Sequence, residues 1–418
     1  MLKNLSILFY FLLLSTQAFP LTMANFLSSG DGASDTCQLK VAHIGYKHSI
    51  HTLNCSDEVL AEEGKAFRIS DNFEATEAFS RRVHFWKKIY GLFGIRDYVI
   101  HSSEYTELVL ASIRVGDERP LHYRPKRILR GQLSKYKKIL KKLHRNKGVA
   151  TDEAQARIVA SLQHIEDPMK YKIASESLRI QRGQKEFIES GIDTAIRYLP
   201  HIEPYFVEAG IPTELAYIAF VESSFNLKAV SKVGASGVYQ IMPFIARKTM
   251  ILNSKIDERR DPIKSGAMAA RLFKENLKLT GNWPLAVTAY NHGPFGIRRA
   301  KRSTGSSDLD YIIKNYNRRK FGFASKNFYS EFLAALDTVK SHSKFTAIVP
   351  KENRISYQEI ALPYTYRIKT ILSRYKMTRE QFKSLNPDVL RHVANSKNAT
   401  LPKGFRLKIP SSPKAPLS

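Results

Sequence analysis

Between residues 187 and 335 the apolar side chains recur at helical spacing, and "AGIP", "VGASG", "LTGNW" and "NHGPFG" interrupt them. A chain that repeats a period near 3.6 and hardly ever alternates with period two buries its apolar side by packing helix on helix. The expected fold class is therefore mainly α, with a helical domain over 187–340. Within it, Pro212 suits a first helical turn, where its missing N–H would have no intrahelical partner, so "PTELAYIAFVE" is predicted to begin a helix there. Leu215, Ile218, Ala219 and Glu222 then share one face, at i, i+3, i+4 and i+7. That face turns toward the core, and it ends in a carboxylate.

A carboxyl group held against apolar side chains loses hydration in its charged form, and its pKa climbs from about 4.3 toward 6 or beyond. Such a group donates a proton near neutral pH. The structural alternative is a brace, with Glu222 accepting backbone N–H bonds from the next loop. After Glu222 the next acid is Asp257, in a stretch that reads as capping, and Asp261 ahead of Pro262 reads as the N-cap of another helix. Downstream, "KVGASGVYQIMP" places Gly234, Ala235, Ser236 and Gly237 together, where backbone can approach a ligand, and then supplies Gln240. "LAVTAYNHGPFG" puts Tyr290 and Asn291 at the end of an apolar helix running from Trp283. Aromatic faces and amides with few charges suit a groove for a neutral glycan. The bland alternatives are a core tyrosine with a satisfied hydroxyl and ordinary glycine turns.

Taken in order, "VESSFNLKAVSKVGASGVYQIMP", "ERRDPIKSGAMAARLF", "NWPLAVTAYNHGPFG" and "NFYSEFLAAL" resemble the goose-lysozyme-like (SLT) domain of lytic murein transglycosylases, most of all the membrane-bound lytic murein transglycosylase D branch. The resemblance spans roughly 187–339. It implies a lysozyme-like helical catalytic domain in which Glu222 is the single catalytic acid. Ser223, Ser231, Gly237, Gln240, Tyr290 and Asn291 are then substrate-binding residues of a saccharide groove, and so is Tyr329, the tyrosine of the last motif. The implied reaction cleaves the β-1,4 bond between N-acetylmuramic acid and N-acetylglucosamine in peptidoglycan and leaves a 1,6-anhydromuramoyl end, with no cofactor and no metal. Goose-type hydrolysis and noncatalytic wall binding are the alternatives. The chain departs from the family at Tyr239, where methionine or tryptophan is commoner, and at Ile245, where threonine is usual.

The remainder of the 418 residues divides by texture. Residues 1–24 read as an export signal, with Lys3 ahead of an apolar run too short for the roughly 20 residues that span a bilayer. An uncleaved anchor is the alternative. Export places the protein in the periplasm or outside the cell, and Cys37 and Cys55 then suit one disulfide. Residues 25–186 are basic and read as mainly helical; in "GQLSKYKKILKKLHRNKG", for example, Tyr136, Ile139, Leu140 and Leu143 share a face. A formal net charge of +28 draws the chain toward acidic polymer. Acidic cell-wall polymer fits export, whereas no nucleic-acid-binding motif is present and none is expected as partner. After a linker at 341–356, residues 357–410 read as a small α+β module, strand–helix–helix–strand, more weakly similar to a LysM peptidoglycan-binding domain. "LPYTYRIKTIL" stands there in place of the usual lysine-glycine-aspartate-threonine turn. Residues 411–418 read as a disordered tail.

Overall fold

The computed structural model describes residues 38–44, 48–54, 64–120, 123–346 and 355–411. The predicted export signal, Cys37, Cys55, residues 347–354 of the linker and 412–418 of the tail lie outside the described residues. The chain divides into two compact units, Met1–Phe67 with Ala75–Gly183, and Arg68–Glu74 with Gln184–Ser418. Helices dominate, as expected, and no helix among the described residues is long and apolar enough to cross a membrane.

In the first unit, strands β1 (Gln38–Ile44) and β2 (His48–Asn54) form a hairpin. A small second hairpin, β3 (Phe67–Ser70) with β4 (Phe73–Ala75), falls mostly in the other unit. Strands β5 (Asp97–Ser102), β6 (Val109–Val115) and β7 (Leu178–Arg182) complete an antiparallel sheet of order β1-β2-β6-β5-β7. Four helices accompany it: α1 (Glu77–Lys87), α2 (Lys126–Arg145), α3 (Glu153–Ser161) and α4 (Lys170–Glu176). Tyr98 and Ile100 of β5 join Tyr136, Leu140 and Leu143 of α2 in one core, with Ile139 packed partly buried against it. His101, on the opposite face of β5, stacks on Phe85 of α1 at 4.4 Å. The basic helix is thus where its apolar spacing placed it, and the sheet is an addition to the helices expected of this region. Every residue of β5 is buried, so the strand has no solvent-facing side and shows no period-two alternation.

The second unit is built on long helices. It runs through α5 (Lys185–Ala209), α6 (Ile218–Ser223), α7 (Pro243–Ala246), α8 (Pro262–Thr280) and α9 (Trp283–His292). Next come α10 (Pro294–Thr304), α11 (Leu309–Asn315), α12 (Phe323–Lys340) and α13 (Ser343–Thr346). Helix α8 packs between α5 and α9, and α12 lies against both α9 and α6. The helix expected from Pro212 begins as a 3-10 turn, Thr213–Tyr217, and becomes α-helical only at Ile218. Leu215, Ile218 and Ala219 are all fully buried, in keeping with their shared face.

The closing segment has the expected strand, helices and strand, with extra short elements. Strand β8 (Tyr357–Ala361) is followed by β9 (Tyr366–Arg367), α14 (Ile368–Arg374), α15 (Arg379–Leu385) and α16 (Arg391–Asn395). β10 (Thr400–Leu401) pairs with β9, and β11 (Arg406–Pro410) pairs with β8. This segment shares its core with the helical part. Ile256, from the loop before α8, is buried among Leu362, Ile368, Phe382 and Leu407, and the Asp257 N–H donates to the Asp388 carbonyl at 2.8 Å. Asp261 caps α8, accepting from the Ile263 and Lys264 N–H groups at 2.9 and 3.2 Å, and its other oxygen accepts from the ammonium of Lys408 on β11. Lys264 in turn bridges Asp388 and Glu258 at 2.8 and 2.9 Å. All four residues of the two pairs that reach the closing segment, Asp261–Lys408 and Lys264–Asp388, are largely or fully buried.

Candidate active site

Glu222 sits in the last turn of α6. Two successive residues beyond it, Ser224 and Phe225, take left-handed backbone, with φ of 50° and 56°. That conformation is unfavourable for residues with a side chain, so surrounding packing must hold it. Part of that packing is Gly191 of α5, where a Cβ would stand 2.2 Å from the Ser224 carbonyl oxygen. Ser223 supplies more. Its buried hydroxyl shares its one proton between the carbonyls of Ala219 and Val238, at 3.2 and 2.9 Å, and accepts from the Asn226 N–H at 3.1 Å. Ser223 therefore braces the backbone around Glu222, and its side chain is committed internally.

The segment Val238–Ile241 runs beside this turn. Tyr239 is fully buried and donates its hydroxyl to the Ala216 carbonyl at 3.0 Å, so the departure from the usual residue is absorbed in the core. Gly237 has φ of 76°, and a Cβ there would fall 1.8 Å from the Arg259 carbonyl oxygen, which excludes any side chain. Gln240 follows with φ of 48°, its Nε2 donating to the carbonyls of Gly237 and Ala229 at 2.8 and 3.3 Å. Its Oε1 has no partner among the described residues. Ser231 closes the preceding turn by accepting from the Ala235 N–H at 3.0 Å.

From α9, Tyr290 stacks on Phe273 at 4.8 Å and donates its hydroxyl to the Tyr239 carbonyl at 2.8 Å. Burial pushes the phenol's pKa far up, and the charge of Glu222 pushes it further. Tyr290 is therefore brought to Glu222 across 68 residues of sequence. Asn291, next along, accepts a hydrogen bond from Ser325 at 3.1 Å. Tyr329 is placed otherwise. It is buried, with its hydroxyl on the Glu74 carbonyl at 3.2 Å, and acts as a brace for the β4 end of the small hairpin.

The Glu222 carboxyl is partly buried and makes no hydrogen bond or salt bridge among the described residues. Burial raises its pKa from 4.5 to about 8, with the charge of Glu331 on α12 adding to the shift. It is protonated at neutral pH. The other nearby acids of the sequence are committed: Asp257 is buried in a bidentate pair with Arg259 at 2.8 and 2.9 Å, and Asp261 caps α8. Glu331 is the one participant that sequence reasoning missed. No local spacing marks it, because only the packing of α12 on α6 brings the two carboxyl groups into each other's field. In Glu331→Gln the carboxyl of Glu222 is expected to titrate at lower pH, by less than the contribution of burial, as read by carbon-13 NMR of the side-chain carboxyl. An unmoved titration removes Glu331 from the site. Among the described residues no three His, Cys, Asp or Glu side chains converge to hold a metal ion.

Glu222, its pKa raised by burial, and Tyr290, whose phenol feels the Glu222 charge, are thus brought together from two of the four ordered motifs. Residues 208–313 match the transglycosylase SLT domain family. The SLT domain so defined contains Glu222, Gln240, Tyr290 and Asn291, and Tyr329 lies beyond its end. The chain is also similar to membrane-bound lytic murein transglycosylase D of Escherichia coli strain K12, 26% identical over 134 residues, which are 31% of this chain and 28% of that protein. The counterpart from Escherichia coli O6:H1 matches over the same extent. The match therefore spans less than a third of either relative. Among solved structures, the 70 kDa soluble lytic transglycosylase of Escherichia coli aligns with a TM-score of 0.31 at 19% identity, over 50% of this chain and 30% of that one. An inactive mutant of lytic transglycosylase Slt from Pseudomonas aeruginosa aligns at 0.32 and 18%, over 56% and 40%.

Proposed function

We propose that the protein is a peptidoglycan lytic transglycosylase acting on the bond between N-acetylmuramic acid and N-acetylglucosamine. The observation that carries this reading is the Glu222 carboxyl, neutral near pH 7 and without a partner among the described residues. Glycosidases that deliver water or form a covalent intermediate use two carboxylates. One suffices where the substrate supplies the nucleophile. Glu222 protonates the bridging oxygen, the C1–O bond breaks, and the C6 hydroxyl of the same muramic residue closes on C1 while its proton returns to the Glu222 carboxylate. The leaving sugar departs with a hydroxyl and the donor end becomes a 1,6-anhydro ring, so atoms balance without water. Intramolecular attack gains the high effective concentration of an oriented neighbour. The acetamido group shields C1 as positive charge develops, and Gln240, through its free Oε1, orients the acetamido N–H. Tyr290 forms the apolar wall that keeps Glu222 protonated.

Mass spectrometry of muropeptides released from purified walls tests this directly. Anhydromuramoyl ends are expected; reducing muramic ends mean hydrolysis, and no release means a noncatalytic binder.

The partner expected from charge is acidic cell-wall polymer, and helix α2 is the surface that supports it. From Arg119 to Thr151 there are twelve Lys and Arg and no Asp or Glu. Lys137, Lys138, Lys141 and Arg145 are exposed and form no salt bridge among the described residues. The apolar side of α2 is in the core, so this face offers charge alone. Reversing Lys137, Lys138 and Lys141 to Glu is expected to weaken retention on walls about tenfold at low salt. Reversing the exposed Arg271, Lys274 and Lys278 of α8 serves as the control, and an equal loss there refutes α2 as the surface. Export to the periplasm or beyond, and wall binding by the closing segment, complete the proposal.

A further inference from the structure

The loop from Gly234 to Ile241 joins three parts of the site. The Val238 carbonyl faces the hydroxyl of Ser223, the neighbour of Glu222, at 2.9 Å, and the Tyr239 carbonyl accepts from the Tyr290 hydroxyl at 2.8 Å. Gln240 comes next in the chain. The two legs of the loop meet in a bridge between Ser236 and Ile241, whose N–H to carbonyl distances are long, at 3.3 and 3.2 Å. Gln240 takes left-handed backbone with φ of 48°. A residue with a side chain keeps that conformation only where its surroundings impose it.

Arg259, in the 3-10 turn Glu258–Arg260 ahead of α8, supplies that constraint. The residue is buried. Its Nη1 donates to the Gly234 carbonyl at 2.6 Å and to the Ile241 carbonyl at 3.1 Å, one on each leg of the loop. Its Nε and Nη2 make the bidentate pair with Asp257, so four of the five N–H groups of the fork are engaged. The backbone carbonyl of the same residue fills the space where a side chain at Gly237 would begin. Asp257, which aims the fork, is itself anchored. Its N–H donates to the Asp388 carbonyl at 2.8 Å, and the preceding Ile256 pairs with Val389. Arg260 reaches the same carboxylate only at 3.4 Å.

We infer that Arg259 is a positioning residue for the proposed reaction: aligned by Asp257, its guanidinium ties the two legs of the loop together and so sets Gln240, and Tyr290 through the Tyr239 carbonyl, against Glu222. The inference rests on the reading of this groove as the catalytic site. A planar fork is essential to the tie, because two carbonyls and a bidentate carboxylate must be met in fixed directions, and the compact ammonium of a lysine has no such geometry. A loop freed of the tie carries its groups out of line, and a displacement of about 1 Å costs a reaction about 100-fold.

The test is chemical rescue in the full chain. Arg259→Ala opens a space beside Asp257 that fits a guanidinium ion, and this variant is expected to release anhydromuramoyl products about 100-fold more slowly than the wild type. Guanidinium at non-denaturing concentration is expected to restore the rate about tenfold or more. Methylammonium, with the same charge and no fork, is expected to restore little. Arg259→Lys keeps a cation beside Asp257 and decides the matter where the Ala variant fails to fold; it is expected to be slower by about tenfold or more at an unchanged melting temperature. Nitrogen-15 NMR of the Gln240 side-chain amide reads the loop apart from the chemistry, and its signal is expected to shift in both variants and to return with guanidinium. A merely structural role lowers rate and melting temperature together, with no rescue or with equal rescue by the two cations, and that result overturns the inference. So does an unchanged rate and Gln240 signal in the Lys variant. A wild type that releases no muropeptides overturns the catalytic reading, and the Gln240 signal then decides the tie alone.

Discussion

Replacing Glu222 with Gln is expected to lower the release of muropeptides by about 100-fold to 10,000-fold, and by the larger figure if one carboxyl serves as acid and then as base. The amide fills the same space and offers hydrogen bonds, but it neither gives nor regains a proton. The same substitution is expected to raise stability at alkaline pH. In the folded wild type the carboxyl pKa is about 8, against an ordinary 4.5. Between those values the folded protein holds a proton that the unfolded chain has released. Stability therefore falls as pH rises through this window, since the unfolded state binds fewer protons. The Gln variant lacks that slope. Thermal melts of both proteins at about pH 5 and pH 9 should show the gap opening in favour of the variant as pH rises. A variant that is inactive and no more stable at high pH contradicts the burial on which the mechanism depends. A fully active variant contradicts the mechanism itself.

The second large effect is expected far from the glutamate. Lys408→Met removes the ammonium that compensates the Asp261 carboxylate where both are buried. Asp261 keeps its two backbone donors at the start of α8 but is left as a buried charge without a counter-ion. Breaking one side of such a pair costs about 3–5 kcal/mol. The Lys408 ammonium also lies 5.2 Å from the centre of the Tyr357 ring, and its attraction to that aromatic face disappears in the same variant. Chemical denaturation reads the combined effect. The double variant Asp261→Asn with Lys408→Met should recover a large part of it, because the neutral amide still caps the helix and neither position leaves an unpaired buried charge. A loss below about 1 kcal/mol in the single variant, the range of an exposed pair, shows that water reaches the junction.

How far the sequence reveals these features depends on distance along the chain. The apolar face of α6 points to Glu222, and Asp261 ahead of Pro262 announces its own cap, because each signal lies within a helical turn or two. Gln240, Tyr290 and Asn291 are legible through the ordered motifs. The same motifs put Ser223 and Tyr329 among the groove residues, but one hydroxyl is committed to the carbonyls of Ala219 and Val238 and the other to Glu74. A hydroxyl in a motif carries no mark of the direction it will face. Glu331 bears on Glu222 only once α12 lies against α6, and no periodicity encodes that meeting. The sheet of the first unit escapes for a different reason, since β5 is buried on both faces and alternates with nothing.

The pairing of Asp261 with Lys408 joins residues 147 positions apart. During synthesis α8 emerges well before β11, and over that interval the capping carboxylate stands at a helix end that has not received its cation. Helix α8 packs against α9, the helix that carries Tyr290. The helix behind the proposed acid thus leans on a strand that arrives late, and removal of residues 357–410 is expected to injure the proposed site as well as shorten the chain.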